Sequence, residues 1–153
     1  MNSEGHIRIL LAEDDPDDRL LTRRALAESS VSTAFTAVEN GEELLHYLRH
    51  EEEYDNSQSA PRPDLILLDL NMPGTDGREA LREIKSDSEL RRIPVVVLTT
   101  SEAEQDILQS YDLGVNAFVT KPVTFDALAD TMESLGEFWS NLVKLPPERD
   151  ANE

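Results

Sequence analysis

The chain contains no cysteine in its 153 residues. That removes disulfides, thiolate catalysis and cysteine-ligated zinc, and it suits a cytoplasmic protein. Long apolar runs are also missing: nothing approaches the roughly 18 residues that a membrane span needs. The opening MNSEGHIRIL has neither a basic leader nor a long apolar segment, so no secretion signal is expected. Positive charge is in short supply. Against 32 Asp+Glu stand 14 Lys+Arg, a net charge of −18. A surface this acidic repels phosphate backbones and anionic lipid, which argues against nucleic-acid and membrane partners. Much of the excess reads as solubility charge, as in a salt-adapted source. No internal repeat and no linker to a second folded domain are visible.

What is present alternates. Apolar, β-branched runs IRILLA (7–12), STAFTAVE (32–39), DLILLD (64–69), IPVVVLTT (93–100) and VNAFVT (115–120) read as strands. Between them lie helical patterns. The first opens at Asp15-Pro16, a cap followed by a proline at the first helical position, with Leu20, Leu21, Ala25 and Leu26 at helical spacing. The second covers 40–53, with Leu44, Leu45 and Leu48 on one face. The third covers 78–87 and the fourth 101–114, ended by Gly114. The last starts near Thr124 and runs to about Val143, before Pro146-Pro147. A polar stretch with two prolines, 54–63, is an insert between the second helix and third strand, longer than such connections usually are. Strands separated by helices must run parallel, and parallel sheets are covered on both faces, which explains the unbroken LILL and VVVL runs. The expectation is one α/β domain over residues 1–145 with a polar tail at 146–153.

In open α/β sheets, sites form at the carboxyl ends of the strands. Here those ends carry Glu13-Asp14-Asp15, then Asp69, then Thr99-Thr100-Ser101, then Thr120-Lys121-Pro122. Each has a plainer reading alone: Asp15 as a helix cap, Asp69 as a turn residue, Thr99-Thr100 as β-formers, Lys121-Pro122 as a loop dipeptide. All four falling in order at the same ends of parallel strands points to a site. Carboxylates this close call for a hard divalent cation with oxygen ligands, and Mg2+ typically takes one or two carboxylates, waters and a phosphate. Cation, Lys121 ammonium and Thr99 hydroxyl together suit the oxygens of a transferring phosphoryl group. Asp69 is then placed to act as nucleophile and form an acyl phosphate.

Four motifs in order and spacing, AEDDP, LLDLNMPGTDG, VVVLTTSEA and AFVTKP, resemble the receiver domain of two-component response regulators over roughly residues 7–135. The resemblance implies a flavodoxin-like (βα)5 fold with strand order 2-1-3-4-5. It implies Asp69 as phosphoacceptor, and metal held by Asp14, Asp69 and the Asn71 backbone carbonyl, with Glu13 acting through a water. It implies Thr99 as the switch hydroxyl, Lys121 as the phosphate-sensing lysine and Phe118 as the aromatic switch, with Asn71 and Ser101 flanking the hydrolytic water. The insert and the ending FWSNLVKLPP resemble stand-alone regulators paired with phytochrome-type histidine kinases. In that group a homodimer forms through the fourth helix, fifth strand, fifth helix and C-terminal extension. Leu135, Phe138, Trp139, Leu142, Val143 and Leu145 exceed what one helix needs for its own core, which fits. The chain is expected to catalyse only its own phosphorylation and dephosphorylation. No output domain is expected after residue 153, and the signal is expected to leave by protein contact, dimer exchange or drainage of kinase phosphate.

Two other readings weaken on particular residues. A Mg2+-dependent aspartyl phosphatase usually carries a second Asp two positions after its nucleophile; here that position is Asn71. An EF-hand reading of DLNMPGTDG fails because Pro73 fills the fifth ligand position and no glutamate stands at the twelfth.

Overall fold

In the computed structural model, residues 6–55, 60–70, 72, 77–99, 117–120, 122 and 124–143 are described. The strands are β1 (Ile7–Ala12), β2 (Thr33–Val38), β3 (Leu65–Asp69), β4 (Val95–Thr99) and β5 (Ala117–Thr120). All are parallel and lie in the order β2-β1-β3-β4-β5. The chain steps from β1 outward to β2, then crosses back past β1 to β3. The carboxyl ends of β1 and β3 therefore flank the point where the winding reverses, where α/β sheets place their sites.

Three helices, α1 (Pro16–Ala27), α2 (Gly41–Arg49) and α3 (Gly77–Ser86), and a long C-terminal helix (Phe125–Val143) cover the sheet. Leu10, Ala12, Ile66, Leu68, Val95 and Val97 face α2 and α3, and pack with Leu44, Leu48, Leu81 and Ile84. The alternate strand residues Ile9, Leu11, Leu65, Leu67, Val96 and Leu98 pack with Leu26, Leu128 and Met132 on the other side. Every residue of β3 is buried, as a central parallel strand requires. Among the described residues no helix is long and apolar enough to cross a membrane.

Two sequence expectations are adjusted and one short element is added. Leu20 does not join the buried stripe of α1; it is 55% exposed, and Thr22, Ala25 and Leu26 form the stripe. Leu20 precedes Leu21 by one residue, about 100° around the helix, which turns it away from the sheet. Residues 90–92 form a short 3-10 turn between α3 and β4, opened by the Asp87 carboxylate, which accepts from the Glu89 and Leu90 amides. The second helix stops at Arg49 rather than continuing to residue 53, because His50 turns left-handed at φ 56° and ψ 52°. The fourth predicted helix lies outside the described residues.

After His50 the chain makes a 3-10 turn at Glu52–Tyr54 and doubles back onto α2. His50 Nε2 donates to the Ala60 carbonyl at 2.9 Å, and the Tyr47 hydroxyl donates to the Pro61 carbonyl at 2.9 Å. The Tyr54 hydroxyl donates to the Glu43 carboxylate, and the two tyrosine rings tilt together at 5.1 Å. Burial, then the Glu43 bond, pushes the Tyr54 phenol above its ordinary value of 10.0. Its contribution to stability is present in full below pH 10.0 and is lost as pH climbs from there through the raised value. A tyrosinate absorbance titration is expected to show a late phenol that Tyr54→Phe removes, with a loss of about 1 kcal/mol at neutral pH.

Candidate functional site

The β1–β3 register pairs Leu11 with Leu67 and Ala12 with Leu68. One step further along the two strands come Glu13 and Asp69, side by side. Both are buried, at 2% and 4% exposure, an uncommon state for carboxylates. Asp14, next in the chain, is exposed. One carboxylate oxygen from each of Glu13, Asp14 and Asp69 lies within 4.8 Å of the others.

The loop bearing the first two is fixed by its backbone. The Glu13 amide donates to Val38 O at 3.0 Å, which extends the β1–β2 ladder by a residue. The Glu13 carbonyl accepts from Arg19 Nη1 at 2.8 Å. The Asp15 amide donates to Glu13 Oε2 at 3.2 Å. Asp15 itself points the other way: its carboxylate caps α1, accepting from the Asp17 amide at 2.8 Å and the Asp18 amide at 3.4 Å, with Pro16 at the first helical position. The acidic triplet thus divides into a pair at the site and a cap beside it. Asp15→Ala is expected to cost about 1 kcal/mol, read as a fall of roughly 2–4 °C in Tm.

On the opposite side, α3 begins at Gly77 with its Cα against the end of β3. A Cβ there would stand 2.5 Å from Asp69 O and 2.7 Å from Leu70 Cα. Only glycine lets the helix approach the strand end this closely. Leu70 N–H donates to Leu98 O at 3.3 Å and keeps β3 in step with β4.

β4 ends at Thr99, whose backbone pairs with Thr120 of β5; Phe118 pairs with Val97 one turn of the pleat earlier. Thr99 therefore comes to the same rim as Asp69, and Phe118 lies in the strand next to it. Asn71, Ser101 and Lys121 lie outside the described residues. Sequence reading passed over Arg19 and Gly77. The signal for Arg19 was a lone cation closing the acidic run EDDPDDR, and for Gly77 a glycine at the first position of a helix.

The donor set suits a hard divalent cation. All three ligand groups are carboxylate oxygens, and one of them faces solvent, which leaves room for water and phosphate. Three like charges this close repel one another, and a cation offsets that repulsion.

The family described as "Response regulator receiver domain" matches residues 9–133, most of the chain. The chain belongs to the response regulator receiver family. The receiver is 44% identical over 138 residues to "Response regulator Rcp1" of Synechocystis sp., covering 90% of this chain and 92% of that protein. Its fold is similar to that of the "Phosphorylated Cyanobacterial Phytochrome Response Regulator RcpA", with a TM-score of 0.81 and 51% identity over 88% of this chain and 94% of the other. It is also similar to the "Mn(2+)-bound form of response regulator Rcp1", with a TM-score of 0.78 and 41% identity over 87% and 94% of the two chains. The strand order expected from the resemblance, 2-1-3-4-5, is the one the receiver has.

Proposed function

We propose that this receiver accepts a phosphoryl group onto Asp69 from a histidine kinase of the phytochrome type, in a Mg2+-dependent reaction, and relays the signal through protein contacts in the cytoplasm. The observation that carries this is the convergence of Glu13, Asp14 and Asp69 within 4.8 Å at the rim where the winding reverses. Similar proteins support it: one crystallised in a phosphorylated form and named as a phytochrome response regulator, another bound to Mn2+.

Asp14, Asp69 and the Asn71 carbonyl would hold the cation, with Glu13 acting through a water. Glu13 suits the outer role because one of its oxygens already accepts from the Asp15 amide. The bound cation would neutralise charge on the phosphoryl oxygens. The Asp69 carboxylate attacks phosphorus in line, a P–O bond forms, and the P–N bond to the kinase histidine breaks with its electron pair leaving on the imidazole. Lys121 pairs with the phosphoryl oxygens, and the Thr99 hydroxyl moves to hydrogen-bond them. The space this opens is taken by Phe118, so a local charge change biases a two-state surface. Water later cleaves the acyl phosphate, with Asn71 and Ser101 beside its approach.

Incubation with acetyl phosphate and Mg2+ is expected to add one phosphoryl group, and EDTA to prevent it. Turnover of assorted phosphomonoesters without a stable adduct would favour the phosphatase reading.

Dimerisation belongs to the same proposal, through the fourth helix, β5, the C-terminal helix and the extension. The C-terminal helix runs to Val143, well past residue 133 where the family match ends. Leu135 contributes less than its sequence position implied, since it packs partly against the core. Sedimentation of the full chain is expected to give a dimer, and a chain ending near Leu135 a monomer. Equal monomer masses would end the dimer reading.

A further inference from the structure

Arg19 is engaged at both ends of the loop that carries Glu13 and Asp14. Its amide donates to Asp15 O at 3.0 Å, the first hydrogen bond of α1. Its guanidinium reaches back over the loop and donates to Glu13 O at 2.8 Å. The other face of the same peptide segment is held by the Glu13 amide on Val38 O. The third contact of Arg19, with Glu39 at 3.9 Å, is with a side chain 68% exposed and contributes little. The Arg19 side chain is 22% exposed, and its bond to the Glu13 carbonyl is partly buried.

We infer that Arg19 is the positioning residue of the acidic site: it clamps the Glu13–Asp15 loop so that Glu13 and Asp14 are held against Asp69 ready for a divalent cation. The inference rests on the metal-binding reading above. The reason the loop needs a clamp is electrostatic. Three carboxylates within 4.8 Å push one another apart before any cation arrives, and the exposed Asp14 is free to swing outward. A backbone carbonyl left without its donor adds to that tendency.

Charge and position predict opposite signs here. A guanidinium this near a dication repels it, so on Coulomb grounds alone Arg19→Met tightens cation binding. If position dominates, the same change weakens it. Calorimetric titration of the metal-free chain with Mg2+ and with Mn2+ is expected to show Arg19→Met weaker by about tenfold, the range for residues that orient metal ligands. Arg19→Lys, which keeps the charge and one donor, is expected to fall between that variant and wild type. Glu39→Gln is expected to stay within about twofold of wild type, as for an exposed pair. Arg19→Met binding as tightly as wild type, or tighter, overturns the inference. Should that variant not fold, Arg19→Lys decides: weaker binding at unchanged charge supports the clamp, and wild-type affinity overturns it. A second readout needs no metal. Amide exchange at Glu13 and Asp15 in EDTA is expected to quicken in Arg19→Met or Arg19→Lys, and unchanged exchange overturns the clamp. Should wild type bind no divalent cation, the metal reading fails by itself and this exchange comparison still decides the role of Arg19.

Discussion

Asp69→Asn is expected to take up no phosphoryl group from acetyl phosphate and Mg2+, a loss of at least about a thousandfold against wild type, because the nucleophile itself is gone. The change is nearly isosteric, and β3 is pinned on both sides, so the fold is expected to survive it. Stability is expected to move the other way from activity. Removing one negative charge from a trio within 4.8 Å relieves repulsion, so in EDTA the variant is expected to melt a few degrees above wild type. Mass spectrometry of the intact chain and a thermal melt check both halves. A variant that is phosphorylated as fast as wild type places the acceptor elsewhere.

Gly77→Ala tests the other side of the site. The added Cβ meets Asp69 O at 2.5 Å and Leu70 Cα at 2.7 Å, and both are backbone atoms that cannot rotate away. Either α3 lifts off or the last peptide of β3 shifts. Overpacking of this kind costs about 2–3 kcal/mol, which for a domain of this size is roughly 5–10 °C in Tm. Phosphoryl uptake is expected to fall further than stability alone explains, by about a hundredfold, because misplacing a reacting group by about 1 Å carries such a penalty. Gly136→Ala is the control. Its Cβ would meet Val31 Cβ and Cγ2 at 3.2 Å, a contact relieved by a shift of a few tenths of an ångström rather than by displacing backbone atoms at 2.5 Å. It is expected to cost under about 1 kcal/mol and to leave phosphorylation unchanged. Equal behaviour of the two variants would remove any special role for Gly77.

Much of the frame was legible because the hydrophobic pattern is regular. The runs at residues 65–68 and 95–98 are apolar throughout because β3 and β4 are buried on both faces, and a run of that kind between helical patterns has few alternatives. Strand order was not contained in that pattern; it entered through the receiver resemblance. The Asp15 cap was readable from its own position before Pro16. The division of labour between Asp15 and its neighbours Glu13 and Asp14 follows from backbone direction at the end of β1, which a run of three acids does not display. His50 was missed as a helix stop because a histidine in a left-handed conformation has no local signature. Its side chain is held by a bond to Ala60 O, beside the Tyr47 hydroxyl bonded to Pro61 O, a tertiary effect. Leu20 misled for the opposite reason: helical spacing admits it, and only the direction of the sheet leaves it outside. Arg19 and Gly77 act through the backbone carbonyls of Glu13 and Asp69, six and eight residues earlier, and neither residue type at that spacing signals such a contact.

The central claim is that acidity is concentrated at one rim for a divalent cation, as distinct from the general excess of negative charge. Paramagnetic line broadening by substoichiometric Mn2+ in amide NMR separates the two. The account predicts that the resonances of Glu13, Asp14, Asp15 and Asp69 are lost first and return on adding Mg2+. Broadening spread equally over other acidic stretches such as Glu51–Glu53, or indifferent to Mg2+, would contradict it.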